Sequence, residues 1–254
     1  MARLDGKVAI ITGGSGGIGK AAGRLFVQEG AKVLLVDLAH EPLKQAVQDI
    51  GGDAVSYTVA DVTDPEQSQR YVQTAVERYG GVDILLANAG IEGVVQPITD
   101  YPIDMFDKVI AVNVRGVWLG LKYAMPEMEK RGGGSIVITS SVAGVRGTAD
   151  ISAYITSKHA VVGLMRTAAL EGAKKKIRVN TVNPAPIETR MMRSLEEGFA
   201  PDAPAQAKEG FASMLPLHRY GAPEEVSQLM LFLASDDSSY CTGGVYMVDG
   251  GMSA

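Results

Sequence analysis

A single cysteine, Cys241, stands among 254 residues. It has no internal partner, which excludes a disulfide-stapled fold and suits a small, buried, apolar role in a reducing cytoplasm. The three histidines, His40, His159 and His218, are scattered. They show no metal-ligand spacing and find no Gly-x-Ser-x-Gly elbow to serve, so no metal site is expected and serine-hydrolase chemistry has no support. Basic clusters are also missing. The formal charge is −5, and the one short run, Lys174-Lys175-Lys176, fits a solvated helix C-terminus, where cations suit the dipole. Nucleic acid is therefore not an expected partner. No apolar run approaches the roughly 18 residues that a membrane span requires. Met1 to Asp5 lead into a strand-like segment without a signal-peptide core, so a soluble, cytoplasmic protein is expected.

Linkers, repeats and low-complexity stretches are lacking too, which favours one domain over the whole chain, residues 1–254. At this size a chain buries about three quarters of the surface it would expose unfolded, so it needs no staple. What is present is alternation. Short β-branched runs at Val8 to Ile11, Lys32 to Val36, Ala54 to Val59, Asp83 to Ala87, Ser135 to Thr139, Arg178 to Val182 and Val245 to Val248 are separated by amphipathic segments. Runs such as Val33-Leu34-Leu35-Val36 suit strands covered on both faces. The pattern predicts an α/β fold: a doubly wound, Rossmann-type parallel β-sheet with helices on both faces. One segment breaks the rhythm. Residues 190–216, with Met191, Met192, Leu195, Phe199, Phe211, Met214 and Leu215, form a long insertion of the kind that serves as a substrate lid.

Thr12-Gly13-Gly14-Ser15-Gly16-Gly17-Ile18-Gly19-Lys20-Ala21 follows the first strand and opens a helix. Glycines there allow positive φ and bring backbone close to a phosphate, whose charge the helix N-terminus favours. A P-loop register fails, because Ala21 stands where a Ser or Thr must hold magnesium. Gly14, Gly16 and Gly19 satisfy the dinucleotide fingerprint, and Asp37 ends the second strand 18 residues after Gly19. A carboxylate there bonds a ribose 2′-hydroxyl and repels a 2′-phosphate. Neither Ser15, Gly16 nor Leu38 supplies a basic side chain, so NAD is expected over NADP.

Tyr154 and Lys158, in DISAYITSKHA, are four residues apart and so share a helix face. An unperturbed tyrosine has a pKa of about 10, too high for an efficient base. A neighbouring ammonium and the positive charge of NAD⁺ favour phenolate, so Lys158 is expected to lower the Tyr154 pKa toward the working range.

A third register of the loop, Thr12-Gly13-x-x-x-Gly17-Ile18-Gly19, resembles the opening of the classical short-chain dehydrogenases/reductases. The resemblance continues through Asp61-Val62, Asn88-Ala89-Gly90, Asn113, Ser140-Ser141, Tyr154-x-x-x-Lys158, Asn183-Pro184-x-x-Ile187-x-Thr189, Thr242-Gly243-Gly244 and Val248-Asp249-Gly250-Gly251. It spans essentially the whole chain. It implies that Gly13, Ser15, Gly17, Ile18 and Gly19 hold the pyrophosphate and adenosine side, that Asp37 binds the ribose, and that Asp61 and Val62 meet the adenine. Asn88, Ala89, Gly90 and Pro184 would line the cofactor, and Ile187 and Thr189 would meet the carboxamide. Tyr154 becomes the acid/base, Ser141 the hydroxyl on the substrate oxygen, Lys158 also the grip on the nicotinamide ribose, and Asn113 the holder of a water linking Lys158 to solvent. The sequence departs from the family at Ala185, where a glycine is usual.

The apolar side chains of the 190–216 segment suit a hydrophobic, cyclic or aryl secondary alcohol and its ketone, while Arg146 and Arg190 could select an anionic group. Two rivals remain at this point. A 3-oxoacyl-carrier-protein reductase would prefer NADPH, against which Asp37 speaks. A non-catalytic dinucleotide-binding sensor would not need Asn113, Ser141, Tyr154 and Lys158 together. The family resemblance further implies a homotetramer.

Overall fold

The structure, a computed structural model, describes residues 2–254. Seven strands form one parallel sheet in the order β3-β2-β1-β4-β5-β6-β7. They are β1 (Val8–Thr12), β2 (Lys32–Asp37), β3 (Val55–Val59), β4 (Ile84–Ala87), β5 (Gly134–Thr139), β6 (Ile177–Pro184) and β7 (Val245–Val248). The apolar runs of the sequence became these strands because both sheet faces are covered: β1 is buried at every position.

The helices are α1 (Gly17–Gln28), α2 (His40–Ile50), α3 (Pro65–Tyr79), α4 (Ile103–Ile110), α5 (Gly116–Lys130), α6 (Ser152–Ala173), α7 (Arg190–Phe199), α8 (Pro204–Ser213) and α9 (Pro223–Ala234). Sequence signals set several of these ends. Asp64 caps α3 by accepting from the Gln67 N–H at 2.9 Å, with Pro65 in the first turn and Gly80 leaving the helix at φ 89°.

Two cores result. On one face Ile10, Leu34, Leu85 and Ile136 pack with Tyr71, Leu121 and Met165 from α3, α5 and α6. On the other Ile11, Leu35, Leu86 and Val137 pack with Phe26, Leu43 and Met230 from α1, α2 and α9. Strand alternation explains the division, since successive side chains point to opposite faces. Cys241 is only half-buried and packs at the edge of the second core.

The chain reverses direction across the sheet between β1 and β4, where a crevice opens at the strand ends. Thr12, Asp37, Ala87, Thr139 and Pro184 end their strands there. The 190–216 insertion consists of two helices, α7 and α8, held together by an edge-on Phe199–Phe211 pair at 5.5 Å. Met191, Leu195 and Phe199 lie on one face of α7 and pack together against the cluster of Tyr154. No helix among the described residues is long and apolar enough to cross a membrane.

Candidate active site

A cavity of about 540 Å³ runs along the strand ends, from Asp37 and Asp61 at one end to Tyr154 and the α7–α8 pair at the other. Of the residues singled out in the sequence, Gly13, Ser15, Gly17, Ile18, Asp37, Asp61, Val62, Asn88, Ala89, Gly90, Ser141, Tyr154, Lys158, Pro184, Ile187 and Thr189 all line it. Gly19 and Asn113 do not; they act from behind the wall.

The glycine loop shows why. Gly13 sits at φ 65°, a conformation that favours glycine, with Ala89 and Asn88 packed against it. A Cβ on Gly19 would collide with the Gly13 carbonyl, so Gly19 lets helix α1 close on the loop rather than touching a ligand. Asn88 ties the neighbouring strand ends: its Nδ2 donates to the Thr12 carbonyl at 3.1 Å and its Oδ1 accepts from Thr139 Oγ1 at 3.1 Å.

Asp37 is oriented by the loop it faces. Its Oδ2 accepts from the Ser15 N–H at 3.1 Å and the Ser15 hydroxyl at 2.5 Å, and its Oδ1 accepts from the Leu38 N–H at 2.9 Å. Asp61 is likewise fixed, with its Oδ1 accepting from the Thr63 N–H and hydroxyl, both at 2.8 Å.

Asn113 is buried behind the cavity wall. Its side chain is committed to protein: Nδ2 donates to the Ile91 carbonyl at 2.9 Å and to Ser157 Oγ at 3.0 Å, while Oδ1 accepts from the Ile91 N–H at 2.8 Å. The amide thus pins the loop after β4 to α6. It stands in a π-helical turn, Ala111–Arg115, joining α4 to α5, a feature that often marks functional sites.

Ser141 Oγ donates to the Pro184 carbonyl at 3.3 Å and accepts from the Ala143 N–H at 3.1 Å. Asn183 Nδ2 holds the Ser141 carbonyl at 2.8 Å. Tyr154 and Lys158 lie on one face of α6, as their spacing requires, with Lys158 Nζ 5.4 Å from the tyrosine ring centroid.

Their ionisation differs from the sequence expectation. Burial pushes the Tyr154 phenol up to about 12, the Ser141 hydroxyl pulls the other way, and the charge of Glu92 raises it further. Lys158 is only 4 % exposed, and burial lowers its ammonium from the usual 10.5 to about 8. Its Nζ donates to the Thr139 carbonyl at 2.8 Å. Desolvation outweighs the Ser141 hydrogen bond, so the chain's own groups do not bring the phenol toward neutrality.

Ala185 raises no strain. It lines the cavity with an ordinary backbone and donates its N–H to the Val248 carbonyl at 3.1 Å. Met191, Met192, Leu195, Phe199, Phe211 and Met214 reach the cavity, and Met191, Leu195 and Phe199 pack against the cluster containing Tyr154. Leu215 does not reach it and is buried in the body of the protein. Arg190 lines the cavity, whereas Arg146 does not and instead donates to the carbonyl of Met252, a residue that does. Sequence reasoning missed Ile151, Val142 and Ala143, which line the cavity and lack any pattern; Glu92, a buried carboxylate just beyond Asn88-Ala89-Gly90, lies outside the lining.

A family model described as enoyl-(acyl carrier protein) reductase matches residues 13–253. Levodione reductase of Leifsonia aquatica is 41 % identical over 256 residues, covering 99 % of this chain and 96 % of that protein. A crystal structure of levodione reductase superposes with a TM-score of 0.95 over 98 % of each chain, at 41 % identity. A 3-oxoacyl-acyl-carrier-protein reductase of Thermotoga maritima is 43 % identical over 252 residues, covering 98 % of this chain and 99 % of its own. Cyclohexanol dehydrogenase of an Acinetobacter species is 39 % identical over 254 residues, covering 98 % and 95 %.

Proposed function

The chain belongs to the classical short-chain dehydrogenase/reductase family, and from that premise we propose that it is an NAD-dependent oxidoreductase interconverting a hydrophobic, cyclic secondary alcohol and its ketone. The observation that carries the reading is one continuous cavity with Asp37 at one end and Ser141, Tyr154 and Lys158 at the other.

The residues fit a nicotinamide dinucleotide. The Gly13 turn and the start of α1 offer backbone N–H groups to a pyrophosphate. Gly90 leaves no side chain where Asn113 and Lys158 come within 3.5 Å of its Cβ direction. NAD is preferred because Asp37 meets the ribose hydroxyls and repels a 2′-phosphate. When bound, NAD accepts or supplies the hydride.

The chain's own residues handle the proton. Tyr154, protonated at neutral pH, donates to the carbonyl oxygen in reduction and must receive a proton in oxidation. Ser141 turns its hydroxyl from the Pro184 carbonyl to the substrate oxygen and steadies its developing charge. Lys158 holds the nicotinamide ribose while the Thr139 carbonyl fixes its ammonium. Asn113 keeps α6 in register with the loop that carries Gly90. Pro184, Ile187 and Thr189 hold the carboxamide end, and Gly17, Ile18, Asp61, Val62, Asn88 and Ala89 line the rest of the cofactor path.

Helices α7 and α8 serve as the substrate lid; the apolar side chains they turn into the cavity support a hydrophobic substrate. The names of two relatives, levodione reductase and cyclohexanol dehydrogenase, support a cyclic one. Exposed Ile103, Trp118 and Leu170 on α4, α5 and α6 support a homotetramer, and the lone Cys241 a cytoplasmic one.

The relative from Thermotoga maritima favours a second reading, reduction of a carrier-bound 3-oxoacyl group with NADPH. Cyclohexanol and cyclohexanone, assayed with each cofactor by the absorbance of its reduced form, separate the two. Turnover with NAD⁺ and NADH is expected; turnover only of acyl-carrier substrates with NADPH would reverse the assignment.

A further inference from the structure

The turn after β7 brings to the cavity a side chain to which the reaction assigns no part. Met252 lines the cavity and is half-buried, although it belongs to neither α7 nor α8. β7 ends at Val248, which stands opposite Pro184 in the sheet register, and the Pro184 carbonyl is the group that accepts the Ser141 hydroxyl at 3.3 Å. The chain therefore leaves the sheet next to Ser141. Asp37 is far from it, since β2 stands five places from β7 in the sheet, about 24 Å at the usual strand spacing.

The backbone of this turn is fixed on three sides. Gly250 and Gly251 reverse the chain at φ 58° and 88°, a region that favours glycine. Asp249 braces them: its Oδ1 accepts from the Gly251 N–H at 3.0 Å and its Oδ2 from the Ser253 N–H at 2.9 Å. The Leu217 N–H donates to the Gly250 carbonyl at 3.2 Å, which ties the turn to the segment that follows α8 and the cavity residue Met214. Met252 itself donates its N–H to the Asp249 carbonyl at 3.0 Å, and its carbonyl accepts from Arg146, on the loop that begins at Ser141. Both backbone groups of Met252 are thus committed to protein, and the thioether is the part left to answer to a ligand.

We propose that Met252 is a specificity-determining residue: its side chain forms a wall of the substrate site, separate from α7 and α8, that limits the alkyl bulk a cyclic ketone can carry. An unbranched, flexible thioether suits that duty, because it moves to fill the space beside a small ring but still occupies volume that a branched substituent needs. Its sulfur is only a weak acceptor, so the selection is by size. This deepens the alcohol/ketone reading and rests on it.

The test compares cyclohexanone with its 2-, 3- and 4-tert-butyl derivatives. It measures kcat/KM with NADH, and binding by calorimetry to the NADH-loaded enzyme carrying Tyr154→Phe, which keeps heat of turnover out of the signal. In Met252→Ala at least one tert-butyl ketone is expected to gain about tenfold on cyclohexanone in both quantities, the scale on which a hydrophobic pocket discriminates by a methylene. Met252→Leu, of similar volume, should keep the wild-type ratios, and Met252→Trp should push the same isomer's ratio the other way. Because alanine and tryptophan act in opposite directions, either decides the question if the other variant does not fold. Ratios that stay flat for all three isomers overturn the inference, as does a uniform loss over all four ketones, the mark of a merely structural side chain. A change confined to the affinity for NADH also overturns it, by moving Met252 to the cofactor. The two readings fail separately. Absent turnover of every ketone with shifted binding ratios sinks the reductase assignment and leaves Met252 standing, whereas normal turnover with flat ratios sinks Met252 alone.

Discussion

Lys158 directs its ammonium at the carbonyl of Thr139, 2.8 Å away, while the ring of Tyr154 lies 5.4 Å from the same nitrogen. The lysine is therefore a fixed, buried cation at the end of β5. Its burial is a cost to the fold. With a folded pKa of about 8 against the usual 10.5, the folded state binds fewer protons between those values, so stability rises with pH across that window and the penalty is fullest below about 8. Lys158→Met should raise the melting temperature at pH 7 by a few degrees, with a smaller gain at pH 10, even as activity is lost. A scanning-calorimetry result in which the gain grows with pH would contradict this sign.

Tyr154 sets a second pH dependence. Its phenol, pushed up to about 12, stays protonated through the neutral range, so reduction finds its proton donor there. Oxidation needs the ionised form, whose fraction below the pKa grows about tenfold with each unit by which the pH rises. The rate of alcohol oxidation should climb between pH 6 and pH 10, with cofactor charge moving the midpoint down but not the slope's direction. A flat profile under conditions where chemistry limits turnover would remove Tyr154 from that role.

Removing the phenolic oxygen isolates the same group. Tyr154→Phe should lower kcat by about 10²- to 10⁴-fold, the usual contribution of a positioned acid or base. Cofactor affinity, followed by quenching or calorimetry, should change little. Turnover near wild type would end the acid/base assignment.

At the far end of the cavity, Asp37→Ala removes the acceptor for the Ser15 N–H and hydroxyl together with the charge that opposes a 2′-phosphate. Comparison of kcat/KM with NAD⁺ and NADP⁺ should show the ratio falling by about tenfold or more. An unchanged ratio would place the selectivity elsewhere.

Asn113→Ala tests the pin rather than the chemistry. It strips partners from both backbone groups of Ile91 and from Ser157 Oγ, at a cost of about 2–4 kcal/mol if two of them stay buried and unpaired. The melting temperature should drop by several degrees, and kcat should fall with it. A variant as stable as wild type would show that the loop and α6 do not depend on this amide.

Much of this arrangement could be read in advance because its causes are local. A covered parallel strand must be a short apolar run, and the loop at Gly13 must tolerate positive φ, so both leave a mark in composition. The β6 boundary was missed at Asn183 and Pro184 because their pairing with β7 depends on a strand 61 or more residues away. The phenol's high pKa was missed for a related reason. Spacing reports that Lys158 is near Tyr154, but not that the Thr139 carbonyl accepts the hydrogen bond from its ammonium or that both groups are dry. The burial of Glu92 carried no signal at all, since an isolated acid before a glycine looks like any solvated turn. The segment that folds as α7 and α8 was legible only as a long apolar insertion; its division into two helices was not.

That face of α7 has two duties. Met191, Leu195 and Phe199 border the space a substrate fills and also keep water from the Tyr154 hydroxyl. Breadth and dryness are consequently one property here. Trimming Leu195 to admit a bulkier alcohol would let solvent onto the proton-carrying oxygen, so an engineer widening this pocket would have to replace the lost shielding with the new substrate itself.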